Sequence, residues 1–180
     1  MSRRHARPKP EDATPVHQEP LVRGPIFTIG HDSHERAAFL SLLACQGVNL
    51  LVDVRSAPYS RYMPHFSKEA LEASLWAWGV GYLYLGRDLG GLAKGDGIVD
   101  AVSFVRGVDR VMEAWRQSYR LALFCAEEDP RRCHRASRIA PALLARGARV
   151  VHIRGDGSLE PHTAAWNDFA MAGRTGDEEN

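Results

Sequence analysis

Residues Leu121 to Ala136 read LALFCAEEDPRRCHRA. Tyr119 to Phe124 reads as a strand, and its short apolar run from Leu121 ends in Cys125. Asp129 and Pro130 then offer an N-cap and a first helical position. From there a helix is expected with Ala136, Ile139, Ala140, Leu143 and Leu144 inward and Gly147 at its end. A strand that runs through a short turn into an amphipathic helix is half of a β–α–β unit. The turn itself gathers two thiols, three acids, an imidazole and several guanidiniums.

The same alternation repeats on either side. Upstream, Pro25 to Ile29 and Val48 to Val54 (VNLLVDV) read as strands, and Val80 to Leu85 as a third. Between them lie a helix from Ser33 to Gln46 and one capped by Ser67 that contains Leu71, Leu75 and Trp78 and stops at Gly79. A helix over Ile98–Gln117 is expected to face inward through Val102, Val105, Val108, Val111 or Met112, and Trp115, with Gly107 weakening it. Downstream, Arg149 to Ile153 is a fifth strand, Gly155 to Gly157 a turn, and Pro161 to Ala172 a last short helix. The sum is a three-layer α/β/α domain with a mainly parallel sheet of about five strands and right-handed crossovers. It occupies residues 25–172. Residues 1–24, rich in Pro and charge without apolar periodicity, read as a disordered arm, and 173–180 as a frayed tail. The five glycines within Gly86–Gly97 suggest a flexible lid.

Bulk composition excludes several classes. The net charge of +1 across 180 residues argues against a strong nucleic-acid or membrane-surface binder. No apolar run is long enough to span a bilayer, and the basic N-terminus lacks the apolar stretch of a secretory signal. Three cysteines do not make a disulfide framework, so a reducing, cytoplasmic setting is expected.

In an open parallel sheet, ligands bind beyond the carboxyl ends of the strands. That rule collects Gly30 and His31, Asp53 and Arg55, and Cys125 and Glu127 at one edge, within reach of His134 and Arg135 from the next helix. Cys125 is the candidate nucleophile or redox thiol, and Glu127, His31 and His134 are candidate acid–base groups. Gly30, Asp53, Arg55, Arg61 and Arg135 are candidate ligand-binding residues, the arginines for an anion. Asp53 and Arg55 share one strand face, so a salt bridge that orders the following loop is the competing account. Tyr59, Tyr62 and Phe66 could stack on a ligand or pin that loop. His152, inside a strand, is expected as a hydrogen-bonded core residue. Cys125 and Arg131 have the spacing of a cysteine-phosphatase loop, but three acids and no glycine would repel a phosphate. Cys125, Cys133 and His134 could instead ligate a metal. Helical phase turns Cys133 inward and His134 away from it, which favours Cys133 as core.

Thr28–His31 (TIGH), Leu51–Arg55 (LVDVR) with Pro58, Ser60 and Arg61, Leu89–Gly91, and Cys125–Glu127 with Cys133–Arg135 together resemble the domain-of-unknown-function 488 family. Val151–Ile153 with Asp156 and Gly157 resembles its close. The resemblance implies a compact α/β domain over roughly Ile26 to Gly157 and supplies neither substrate, cofactor nor reaction. Two functions follow as expectations. One is an enzyme acting on a small anionic, nucleotide-like ligand at the strand ends. The other is a binding module for nucleic acid or protein, or a domain closed by a Cys/His metal site.

Overall fold

A computed structural model describes residues 23–31, 33–91, 99–163 and 166. The expected arm (save its last two residues), half of the glycine-rich loop, the tail and most of the expected last helix lie outside them. In chain order the elements are β1 (Ile26–Gly30), α1 (Arg36–Cys45), β2 (Leu50–Asp53), α2 (Lys68–Ala77), β3 (Gly81–Tyr84), α3 (Gly86–Leu89), α4 (Ala101–Arg116), β4 (Leu121–Cys125), α5 (Ala140–Leu144), β5 (Val150–Ile153) and β6 (Leu159–Pro161). The sheet order is β3-β2-β4-β1-β5-β6, parallel throughout except for β6.

Strand alternation builds two cores. Phe27, Ile29, Leu51 and Phe124 pack under Phe39 and Leu43 of α1 and Leu71 and Leu75 of α2. On the other face, Ile26, Val52, Leu121 and Leu123 pack under Val108, Val111 and Met112 of α4 and Leu143 of α5. Each fully buried side chain of this kind contributes about 1.5–3 kcal/mol. The sheet order explains the division. The steps β1 to β2 and β2 to β3 run one way across the sheet, and β3 to β4 and β4 to β5 run back. Right-handed crossovers then put α1 and α2 on one face, α4 and α5 on the other.

Several local expectations are corrected. α1 starts at Arg36, not Ser33, because the His34 N–H turns back onto the His31 carbonyl and delays the helix; Glu35 holds the cap position without a side-chain bond. α4 is capped by Asp100, whose carboxylate accepts the Ser103 N–H. Its inner stripe is Phe104, Val108, Val111, Met112 and Trp115, whereas Val102 is 74 % exposed and Val105 also faces out. Gly107 has a packing role in it: a Cβ there would stand 2.7 Å from Leu89 and 2.8 Å from Asp88, so glycine permits the crossing with α3. Trp78, at the end of α2, is half exposed. A sixth strand follows the Gly155–Gly157 turn and pairs antiparallel with β5, where the start of a helix was expected; Pro161 is tolerated there because β6 is an edge.

The expected helix after β4 is broken into pieces. Pro130–Arg132 form one 3₁₀ turn, and Cys133 is extended, with φ −124° and ψ 141°. Arg135–Ile139 form a widened π turn in which the Ala140 N–H donates to the Arg135 carbonyl. Pro141 accounts for the widening, since it has no N–H and its ring would clash with the carbonyl four residues back.

Candidate functional site

The cluster is built at the carboxyl end of β4. The chains leaving β1 and β2, its two neighbours, turn toward α1 and α2. The chain leaving β4 turns the opposite way, toward α5. A crevice therefore opens above β4, at the topological switch of the sheet. A cavity of about 610 Å³ occupies it. His31 after β1, Arg55, Ser56 and Ala57 after β2, and Cys125 and Ala126 after β4 line it. Tyr59, Ser60, Tyr62, Met63, Gly91 and His134 complete its walls with Ser33. Gly30 makes the crowding possible: a Cβ there would lie 2.0 Å from the Glu127 carbonyl oxygen.

Cys125, Cys133 and His134 converge. One donor atom from each lies within 4.8 Å of the other two. The His134 Nε2–H donates to the Val54 carbonyl at 3.2 Å, and its Nδ1 stands 3.6 Å from Cys133 Sγ. Because a carbonyl can only accept, Nε2 carries a hydrogen and Nδ1 is the nitrogen presented to the sulfurs. The Cys125 thiol is held below its ordinary range. The hydrogen bond from the Cys133 thiol is the main cause; burial opposes it, and the bond and charge of His134 and the charge of Arg135 assist it. Cys133 is pushed up by the same hydrogen bond and by burial. Cys125 is thus the sulfur of the pair on which the surroundings favour the thiolate.

This arrangement corrects the helical-phase argument. Cys133 precedes the helix with an extended backbone, so it and His134 turn to the same place. The acids next to Cys125 do not raise it either, for they turn elsewhere. Glu128 binds Arg154 and the Gly155 N–H, and Asp129 caps the Arg131 N–H and pairs with Arg154.

The other candidates divide. His31 lines the cavity with its ring stacked on Phe66, centroids 4.3 Å apart. Asp53 and Arg55 form a buried ion pair. Arg55 Nη2 lies 2.6 Å from Asp53 Oδ2, its Nε donates to the same carboxylate, and its Nη1 donates to the Phe66 carbonyl at 2.9 Å. Tyr82 donates its hydroxyl to Asp53 at 2.7 Å, and burial, then Asp53, pushes the phenol up. The guanidinium stacks 4.5 Å above the Phe124 ring, so Arg55 is first a clamp on the Pro58–Phe66 loop, although an edge of it lines the cavity. Arg61 lies on the surface beside Tyr62, outside the cavity lining. Glu127 accepts the Asp129 N–H at 3.2 Å and does not line the cavity.

Arg135, expected to bind ligand, is wholly buried and donates to the Glu127 and Glu128 carbonyls. The π turn draws it under the β4 loop, so it holds that loop rather than a ligand. His152 is the core residue expected: Nδ1 lies 2.7 Å from the Thr28 hydroxyl and Nε2 3.0 Å from His162 Nδ1. Burial and then His162 push it down to about 3. The sequence did not single out Ser56, and it marked Gly91 only as part of the Leu89–Gly91 motif. Ser56 donates to the Gly91 carbonyl at 2.8 Å, and Gly91 packs so near His134 that a Cβ would stand 3.0 Å from Nδ1.

Among the described residues, no helix is long and apolar enough to cross a membrane. A family model described as a domain of unknown function, DUF488, matches residues 35–97. That stretch runs from the start of α1 past Gly91 and includes the Asp53–Arg55 clamp and most of the cavity wall, but not the cysteine cluster. Comparison with curated proteins yields no match.

Proposed function

We propose that this chain, which belongs to the DUF488 family across residues 35–97, is an enzyme that works on a small molecule through the thiolate of Cys125. The carrying observation is that Cys125 lines a cavity at the switch point of the sheet with the Cys133 thiol and the His134 imidazole within 4.8 Å of it. A thiolate is the nucleophilic form of cysteine, and a neighbouring imidazole can take or return a proton. Rings of His31, Tyr59 and Tyr62 with Met63 form the walls, which suit a flat, partly apolar electrophile. An anionic ligand draws less support, because Arg55 is paired with Asp53, Arg61 lies outside and Arg135 is buried. Three free thiols suit a reducing compartment such as the cytoplasm.

The test uses Cys45 as an internal reference, since it is exposed and outside the cluster. Iodoacetamide is added near neutral pH and the rate at each cysteine is read by peptide mass spectrometry. Cys125 is expected to react about tenfold faster than Cys45, after allowing for its lower basicity and its burial. A Cys125 rate equal to or below that of Cys45 overturns the reading.

One observation favours a second reading. The 3.6 Å between Cys133 Sγ and His134 Nδ1 equals the separation, roughly 3.6 Å, of a sulfur and a nitrogen on tetrahedral zinc with ordinary bond lengths. The Val54 carbonyl would be the outer acceptor that orients such a histidine. Cys125, Cys133 and His134 could hold the ion and leave a fourth position toward the cavity. Native mass spectrometry with added zinc tests this: one ion retained by the wild type and lost in His134→Ala supports it, and a bare mass rejects it.

A further inference from the structure

We infer that Cys125 and Cys133 are a dithiol–disulfide couple, with Cys125 the attacking sulfur and Cys133 the resolving one. The inference rests on the thiol reading above and names the reaction of that same site. Three observations carry it. The sulfurs lie within 4.8 Å of each other. Their access differs: Cys125 lines the cavity, whereas Cys133 is buried behind it and does not. An oxidant entering the cavity therefore meets Cys125 first. Finally, Cys133 sits between a 3₁₀ turn and a π turn with an extended backbone. A residue held by no regular helix can swing its side chain the short distance needed to reach the bond length of about 2.05 Å.

The oxidant class that fits is a hydroperoxide, small enough to enter with its chain along the aromatic walls. The Cys125 thiolate attacks the distal peroxide oxygen. The O–O bond breaks, the alkoxide leaves and takes from solvent the proton that Cys125 released on ionising, which makes it an alcohol, and Cys125 becomes a sulfenic acid. The Cys133 sulfur then attacks Cys125 Sγ as its proton passes to His134 Nδ1. The S–O bond breaks, and the departing hydroxide takes that proton and leaves as water. Two thiols have lost two electrons to form one disulfide, and one peroxide has been reduced to alcohol and water. An external dithiol returns the pair by exchange.

The full chain is treated with one equivalent of hydrogen peroxide, quenched, alkylated and read by intact and peptide mass spectrometry. The expected result is the loss of two hydrogen masses, a peptide joined through Cys125 and Cys133, and full reversal by dithiothreitol. Cys133→Ser should stop at a Cys125 sulfenic acid that dimedone captures, Cys133→Ala should do the same, and Cys45→Ser should behave as wild type. If Cys125 runs on to the sulfinic acid while Cys133 stays alkylatable, the inference is wrong. Retained zinc that keeps both thiols reduced also overturns it. Fast iodoacetamide labelling of Cys125 without a disulfide would sink the couple and leave the thiol reading standing; a Cys125 inert to both reagents would sink both.

Discussion

Two buried polar clusters sit on neighbouring strands and are built to opposite ends. At the end of β2, Asp53 is met by Arg55 twice over and by Tyr82, and Arg55 closes on Phe66 and Phe124. At the end of β4, Cys125 is met by Cys133 and His134 on one side and by an open cavity on the other. The first cluster is charge neutralised and enclosed, which is what a structural element needs, because an unpaired buried charge is costly. The second leaves one reactive atom accessible. Burial of polar groups alone therefore does not mark a working site; burial with one side left open does.

The largest expected effect breaks the closed cluster. Asp53→Ala leaves the Arg55 guanidinium buried without its carboxylate and should cost about 3–5 kcal/mol, read by urea denaturation. A loss below about 1 kcal/mol would mean that the pair is no more structural than a surface bridge. The next effect uses the His152 cluster, closed like the Asp53 pair. Its folded-state pKa, about 3, lies below the ordinary 6.5, so the unfolded chain binds a proton that the folded chain refuses. Stability should be full above pH 6.5 and fall as pH drops toward 3, by about 1.4 kcal/mol per pH unit for one proton. His152→Gln should flatten that slope in a pH series of denaturation curves; an unchanged slope would refute the assignment.

Smaller effects sharpen the contrast. Gly30→Ala pushes on the Glu127 carbonyl and should cost about 1–3 kcal/mol by overpacking, while slowing Cys125 alkylation because the β4 loop moves. A slower rate with no loss of stability would say that Gly30 only positions the loop. Cys125→Ser is expected to change stability least, by about 1 kcal/mol or less, and yet to remove the fast-labelling site completely. If Cys125→Ser were as destabilising as Asp53→Ala, the two clusters would be alike after all and the contrast would fail.

The parts of this fold that were legible in the sequence are those set by short-range pattern. Leu50–Asp53 and Leu121–Cys125 are apolar runs of strand length, and the alternation with helices fixes a parallel sheet. The address of Cys125 followed from that order. The phase of α4 was misread because Val102 and Val105 are apolar and yet exposed, and because Gly107 looked like a defect rather than a contact. The convergence of Cys133 with His134 was not legible, since it depends on where the helix begins, and Pro141 was overlooked as the residue that widens it. Arg135 was misassigned for the same reason: an arginine in a first helical turn reads as exposed, but the π turn buries it against two carbonyls. Ser56 and Gly91 meet across the chain, and no local pattern announces such a pair.

The insertion of β4 between β1 and β2 has a consequence for how the chain folds. The two strands made first cannot pair with each other, because their shared neighbour arrives only after α4. Until Leu121–Cys125 is available, β2 has β3 alone as a partner, and β1 has none of the first three strands beside it. Such long-range closure slows folding and leaves strand edges exposed in the meantime. It also means that a nascent chain ending before Leu121 has neither a finished sheet nor a cavity. The step that joins β1 to β2 and β3 is the step that delivers Cys125, so no partly folded form with these strands in one sheet lacks its thiol.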